Sequence, residues 1–129
     1  MIGMIRRRST VAVLASFALA ITMAGCSAAP PVEETGETTQ VEVRMLDGRY
    51  HPDVIEVPVG NRLIIDLVND DLDLHDLEME SGAKTERFGQ GMTETLDVGI
   101  ISTDLDGWCS VPPHREHGMV LTVRAVETG

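Results

Sequence analysis

From Val41 onward the apolar residues recur at every second position in short runs, and this alternation decides what the chain can fold into. Val41, Val43 and Met45 alternate with Glu42 and Arg44, and Ile55, Val57 and Val59 alternate with Glu56 and Pro58. Leu63, Ile65 and Leu67 follow with Asp66 between them, then Leu96, Val98 and Ile100, and near the end Leu121, Val123 and Ala125. Successive side chains of a strand point to opposite faces, so each run can bury one face and leave the other wet. No long stretch between Val41 and Gly129 carries the 3.6-residue period of an amphipathic helix. Turn residues separate the runs: Asp47-Gly48, Gly60-Asn61, Asn69-Asp70-Asp71, Ser81-Gly82, Gly89-Gln90-Gly91 and Asp106-Gly107. About seven short strands in about 90 residues predict an all-β domain, a β-sandwich or small barrel. A single helical turn is expected near residues 83–92.

The N-terminal part has a different character. Arg6, Arg7 and Arg8 precede an uncharged apolar run from Val11 to Ala24, and the small residues Ala24 and Gly25 lead into Cys26. This is the layout of a secretory signal. At 1.5 Å per residue the run would extend roughly 21 Å as a helix, short of the ~30 Å hydrocarbon core of a bilayer. Met23-Ala24-Gly25-Cys26 resembles the lipobox of bacterial lipoproteins, with Met23 where Leu is commoner. The resemblance implies cleavage before Cys26, lipidation of that residue and a cell-membrane anchor on the extracytoplasmic side. Ser27–Gln40 contains Pro, Gly, Thr and Glu but almost no large apolar side chain, and reads as a flexible spacer. The expected organisation is a signal peptide over residues 1–25, the lipidated Cys26 and spacer over 26–40, and one folded domain over 41–129.

Charge and cysteine content narrow the function. The 129 residues include 10 Lys and Arg against 21 Asp and Glu, a formal net charge of −11. Loss of Arg6, Arg7 and Arg8 with the signal leaves 7 against 21, a charge of −14. Such a surface repels phosphate backbones and excludes ordinary nucleic-acid binding. If Cys26 carries lipid, Cys109 is the remaining cysteine, and an exported domain with one thiol has no internal disulfide.

Cys109 stands in the stretch WCSVPPHREHGMV, which brings a thiol, the His114 imidazole and the Met119 thioether within eleven residues. These soft and borderline donors suit copper better than hard cations. Pro112 and Pro113 stiffen the stretch. One imidazole leaves the donor set incomplete, and His75, His117 and His51 are the candidates to complete it. His75 lies in VNDDLDLHDLEM, where an apolar strand passes through an Asp-rich turn into a second strand.

With these residues in view, the chain resembles the cupredoxin family over roughly residues 50–126. His75-Asp76-Leu77 is similar to the family's early histidine site, and Cys109–Met119 is similar to its ligand loop. The resemblance implies a Greek-key β-sandwich holding one type 1 copper, with His75, Cys109 and His114 as the strong ligands and Met119 as the weaker axial one. It further implies a membrane-tethered electron carrier rather than an enzyme, passing single electrons between a donor and an acceptor protein, with His114 nearest the surface. Two departures stand out: Asp76 replaces the Asn that often follows the early histidine, and Pro113 replaces a Gly before the late one. Neither removes a ligand.

Other residues carry plainer readings. Trp108 is the lone tryptophan and is expected in the core. His117 is expected at the surface, and His51 is expected to be structural or exposed. The acidic run Asp70, Asp71, Asp73, Asp76, Glu78 and Glu80 reads as a solvated turn with strand faces, or as a docking patch for a basic redox partner. Two further functions stay open: a lipoprotein that handles or delivers copper, and a metal-free interaction protein on the same fold. No calcium-hand or phosphate-cradling glycine motif is present.

Overall fold

The computed structural model describes residues 31–129, so the expected signal over residues 1–25 and Cys26 lie outside the described residues. Eight strands follow in order: β1 (Thr38–Leu46), β2 (Arg49–His51), β3 (Val54–Pro58), β4 (Arg62–Asn69), β5 (Glu78–Met79), β6 (Thr93–Ile100), β7 (Leu105–Trp108) and β8 (Val120–Val126). They form two mixed four-stranded sheets, β2-β1-β4-β6 and β3-β8-β7-β5. β1 runs parallel to β4 and β3 parallel to β8, while the remaining pairs are antiparallel. The result is a Greek-key β-sandwich.

The alternation identified in the sequence is the inward face of these strands. Val43, Met45, Leu63, Ile65 and Leu67 of one sheet meet Ile55, Val57, Met79, Leu121 and Val123 of the other, all at most 3% exposed. The pattern breaks at one place. Leu63 pairs with Gly99 but Ile64 with Asp97, so Val98 is the extra residue of a bulge, with Gly99 at φ 93°. Beyond it the inward face passes from Val98 and Ile100, both half-buried, to Ile101, which is fully buried.

Two further details depart from the sequence reading. β1 starts at Thr38, within the stretch read as spacer, because Thr38, Thr39 and Gln40 pair with Arg62, Leu63 and Ile64. Thr35 is fastened as well, its N–H donating to the Gly60 carbonyl at 3.1 Å. The helical turn expected near residues 83–92 is absent. That segment satisfies its backbone by pairing instead, Phe88 with His75 and Lys84 with Glu78. Among the described residues, no helix is long and apolar enough to cross a membrane.

Gly107 sets the spacing between β7 and the chain that follows His75. A Cβ there would lie 2.6 Å from Met79 Sδ, 3.0 Å from Leu77 Cδ1 and 3.3 Å from the Glu78 carbonyl oxygen. Gly107→Val is therefore expected to cost about 2–3 kcal/mol by overpacking, read as a lower urea midpoint at unchanged slope. An unchanged midpoint would mean that β5 moves aside freely.

Candidate metal centre

The segment after β4 is shaped by Asn69, a fully buried side chain at the strand's end. Its Nδ2 donates to the carbonyls of Asp73 at 2.9 Å and Phe88 at 2.8 Å, and its Oδ1 accepts the Asp71 N–H at 2.9 Å. His75 is then held through its backbone: its N–H donates to the Phe88 carbonyl, and the Phe88 N–H donates back. The imidazole that results is 1% exposed. On the other side of the site, Cys109 follows β7 and Met119 precedes β8, joined by the Cys109 N–H donating to the Met119 carbonyl at 3.2 Å. Residues 110–118 coil back between them in tight turns, with the His114 N–H donating to the Val111 carbonyl and the Met119 N–H to the His114 carbonyl, each at 2.9 Å.

These two segments bring His75, Cys109 and His114 together, with ligand atoms all within 4.8 Å of one another. The Nδ1 atoms of the two histidines are 3.2 Å apart, and Cys109 Sγ lies 3.8 Å from His75 Nδ1 and 3.5 Å from His114 Nδ1. Two imidazole nitrogens at about 2.0 Å and one thiolate at about 2.3 Å around a central ion would be separated by roughly 3.5–3.8 Å. The observed triangle is close to that size before any metal enters. Two imidazoles and a thiolate in trigonal array are the donor set of a type 1 copper site, and the residues fit one such ion. Burial raises the Cys109 thiol above its ordinary pKa. A metal ion that displaces the proton offsets this effect.

Met119 is fully buried among the core residues at the start of β8. His117 does not join the cluster. It lies on the wall of an open cavity of about 360 Å³ that also reaches His75 and His114. His51 is exposed on β2, its Nε2 3.2 Å from the Leu46 carbonyl oxygen. Trp108 is half-buried rather than core, and the Arg115 guanidinium covers its ring at 3.8 Å from the centroid.

Three of the six acids of the run, Asp70, Asp71 and Asp76, have partners inside the molecule. Asp70 forms a two-point pair with Arg44, at 2.6 and 2.9 Å. Asp71 Oδ2 lies 3.1 Å from His75 Nε2 and accepts the Gly48 N–H at 2.9 Å. That backbone bond, with the histidine's help, holds the Asp71 carboxyl below the ordinary carboxylate range. Asp76 is buried and accepts the Ser110 N–H at 2.6 Å as well as the Ser110 hydroxyl, with Arg87 Nε 3.5 Å away. The Tyr50 hydroxyl, deep in the core, donates to the Asp76 carbonyl. Sequence reasoning gave no sign of Tyr50, whose contact arises where β2 meets the segment after β4, and it read Asp71 only as part of the acidic run although that residue stands four positions before His75.

Comparison with known proteins agrees with this architecture. A protein-family profile described as the cupredoxin-like domain matches residues 13–103 and so ends before Cys109. No curated protein sequence matches the chain. Among solved structures, the chain is similar to a reduced auracyanin from Roseiflexus castenholzii, with 17% identity and a TM-score of 0.59 over 70% of this chain and 99% of that one. It is similar to a blue copper oxidase from Nitrosomonas europaea at 12% identity, with a TM-score of 0.60 over 72% of this chain and 40% of the oxidase. A copper-containing nitrite reductase from Thermus scotoductus is 22% identical, with a TM-score of 0.55 over 72% of this chain and 24% of the reductase. At these identities the likeness is one of fold.

Proposed function

The chain belongs to the cupredoxin-like domain family, and on that footing we propose that it is a single-copper electron carrier, tethered through Cys26 to the outer side of a bacterial cell membrane. The observation that carries this reading is the convergence of His75 Nδ1, His114 Nδ1 and Cys109 Sγ into one triangle. His75, Cys109 and His114 would hold the ion, with Met119 as a weaker fourth donor. Met119 is supported by its burial and by its backbone bond to Cys109. Copper in such a site supplies one-electron exchange between Cu(I) and Cu(II), which both tolerate the trigonal set.

The chain's own residues fix the donors and keep water away from most of them. Cys109 is 1% exposed and His75 fully buried, whereas His114 is half-buried with an edge on the open cavity. The donor and acceptor proteins would therefore approach at His114, beside Pro113. Near this end the exposed side chains are mixed in character: Leu72 and Leu74 are apolar and Asp73 is acidic. A basic partner would be drawn by the net charge, and its association rate should fall as salt rises. The signal over residues 1–25 and lipid on Cys26 supply the tether in this reading.

His117 on the cavity wall is the one observation that favours a second reading, in which the protein hands copper on. Copper titration of the chain decides between them. The carrier reading expects one equivalent bound with intense visible absorption and narrow copper hyperfine splitting, cycling reversibly by one electron and resisting chelators. Weak, exchangeable copper without that absorption would overturn it and favour metal handling.

A further inference from the structure

His75 is gripped on the side that faces away from the other donors. Its Nε2 is 3.1 Å from Asp71 Oδ2, and Asp71 is itself fixed before any metal arrives. The same oxygen accepts the Gly48 N–H at 2.9 Å, Oδ1 accepts the Leu72 N–H at 3.2 Å, and the Asp71 N–H is tied to Asn69. Gly48 belongs to the turn between β1 and β2, so one carboxylate joins that turn to the histidine segment. An ionised carboxylate only accepts hydrogen bonds. Nε2 therefore carries a proton, and in the neutral imidazole the lone pair falls on Nδ1, the atom that faces Cys109 and His114. An imidazole bonded to a carboxylate is also a more basic donor.

We infer that Asp71 is a positioning residue, which locks His75 in its Nε2–H tautomer and biases the bound metal toward its higher oxidation state. The tautomer half of this inference needs no metal. The oxidation-state half rests on the copper reading above. Asp71 acts only through His75.

The test compares the full wild-type chain with Asp71→Asn and Asp71→Ala. In the metal-free proteins, nitrogen NMR of the imidazoles is expected to give a single Nε2–H form of His75 in the wild type and a mixture of tautomers in Asp71→Ala. Asp71→Asn keeps an acceptor oxygen but loses the charge, so it should keep the tautomer. Loaded with copper, Asp71→Asn should keep the position of the visible band. Its preference for Cu(II) over Cu(I) should fall about tenfold, which is a potential raised by about 59 mV. A residue that merely supported the fold would move neither the tautomer nor the potential in Asp71→Asn and Asp71→Ala alike. An Nδ1–H form of His75 in the wild type, or a Cu(II)/Cu(I) preference in Asp71→Asn within twofold of the wild type, would overturn the inference. If the wild type binds no copper through Cys109, the carrier reading fails, and the tautomer measurement alone decides the role of Asp71. Should Asp71→Ala not fold, the wild-type tautomer and the Cu(II)/Cu(I) preference of Asp71→Asn decide it.

Discussion

Replacing Cys109 with Ser is expected to remove the intense visible absorption of the copper-loaded protein and to weaken copper binding more than a hundredfold. Loss of an outer-shell partner already costs a metal site about 10–100-fold in affinity, and Cys109 would contact the ion directly. A serine hydroxyl does not ionise at neutral pH and is a poor donor to copper, so the triangle would be left with two imidazoles. The fold should survive. Cys109 is buried beside both histidines, and a serine oxygen in its place can hydrogen-bond His114 Nδ1, which lies 3.5 Å from the present sulfur. The metal-free variant is expected to unfold within about 1 kcal/mol of the wild type. Paired measurements check this: absorption and chelator competition on the loaded protein, and urea unfolding on the metal-free one. Equal copper affinity in both proteins would remove the thiolate from the site.

Asp76→Ala is expected to give the largest loss of stability among changes near the site, about 2–4 kcal/mol in the metal-free protein. The carboxylate connects the residue after His75 to the residue after Cys109, accepting both the N–H and the hydroxyl of Ser110. Its side chain is 7% exposed, and Arg87 stands 3.5 Å away. Alanine would leave the Ser110 N–H without its acceptor and the guanidinium without its acid. Among the described residues no buried side-chain nitrogen or oxygen lacks a partner, so the fold has no slack of this kind elsewhere. Asp76→Asn should cost only about 1 kcal/mol, because an amide can accept the N–H and donate to the hydroxyl oxygen. Urea midpoints of the two variants, compared at equal slope, measure the difference. Equal losses from Asn and Ala would assign the effect to charge rather than to hydrogen bonding.

The β-sandwich was legible because most of its inward face is written as simple alternation, as in Leu63, Ile65 and Leu67, where one buried face fixes the register. Where alternation misled, at Ile100, a single extra residue at the Val98–Gly99 bulge moved burial to Ile101. Two-residue β5 and three-residue β2 are too short to carry a period of their own. Cys109, His114 and Met119 stood out because donor type and loop spacing are local properties of the chain, whereas His75 was singled out from the other histidines by the family resemblance. The partners behind them were not legible. Asp71 and Asp70 are neighbours in a run of acids, yet one grips a buried imidazole and the other pairs with Arg44 across the sheet. Composition cannot separate them, since the difference lies in which strand end each one faces.

The parallel pairing of β1 with β4 gives the molecule two poles. Thr38 lies beside Arg62 and Met45 beside Asn69, so the chain enters at one end of the sheet and the histidine segment leaves from the other, roughly 25 Å away along the strand. Thr35, bonded to Gly60 and Asn61, moors the incoming chain at the first pole. A domain leashed by its N-terminus would therefore carry its cysteine and histidines at the pole farther from the leash. In the carrier reading proposed above, a partner that diffuses in solution or stands tall enough would meet that far pole most directly, and one lying flush in the same bilayer would wait for the domain to tilt.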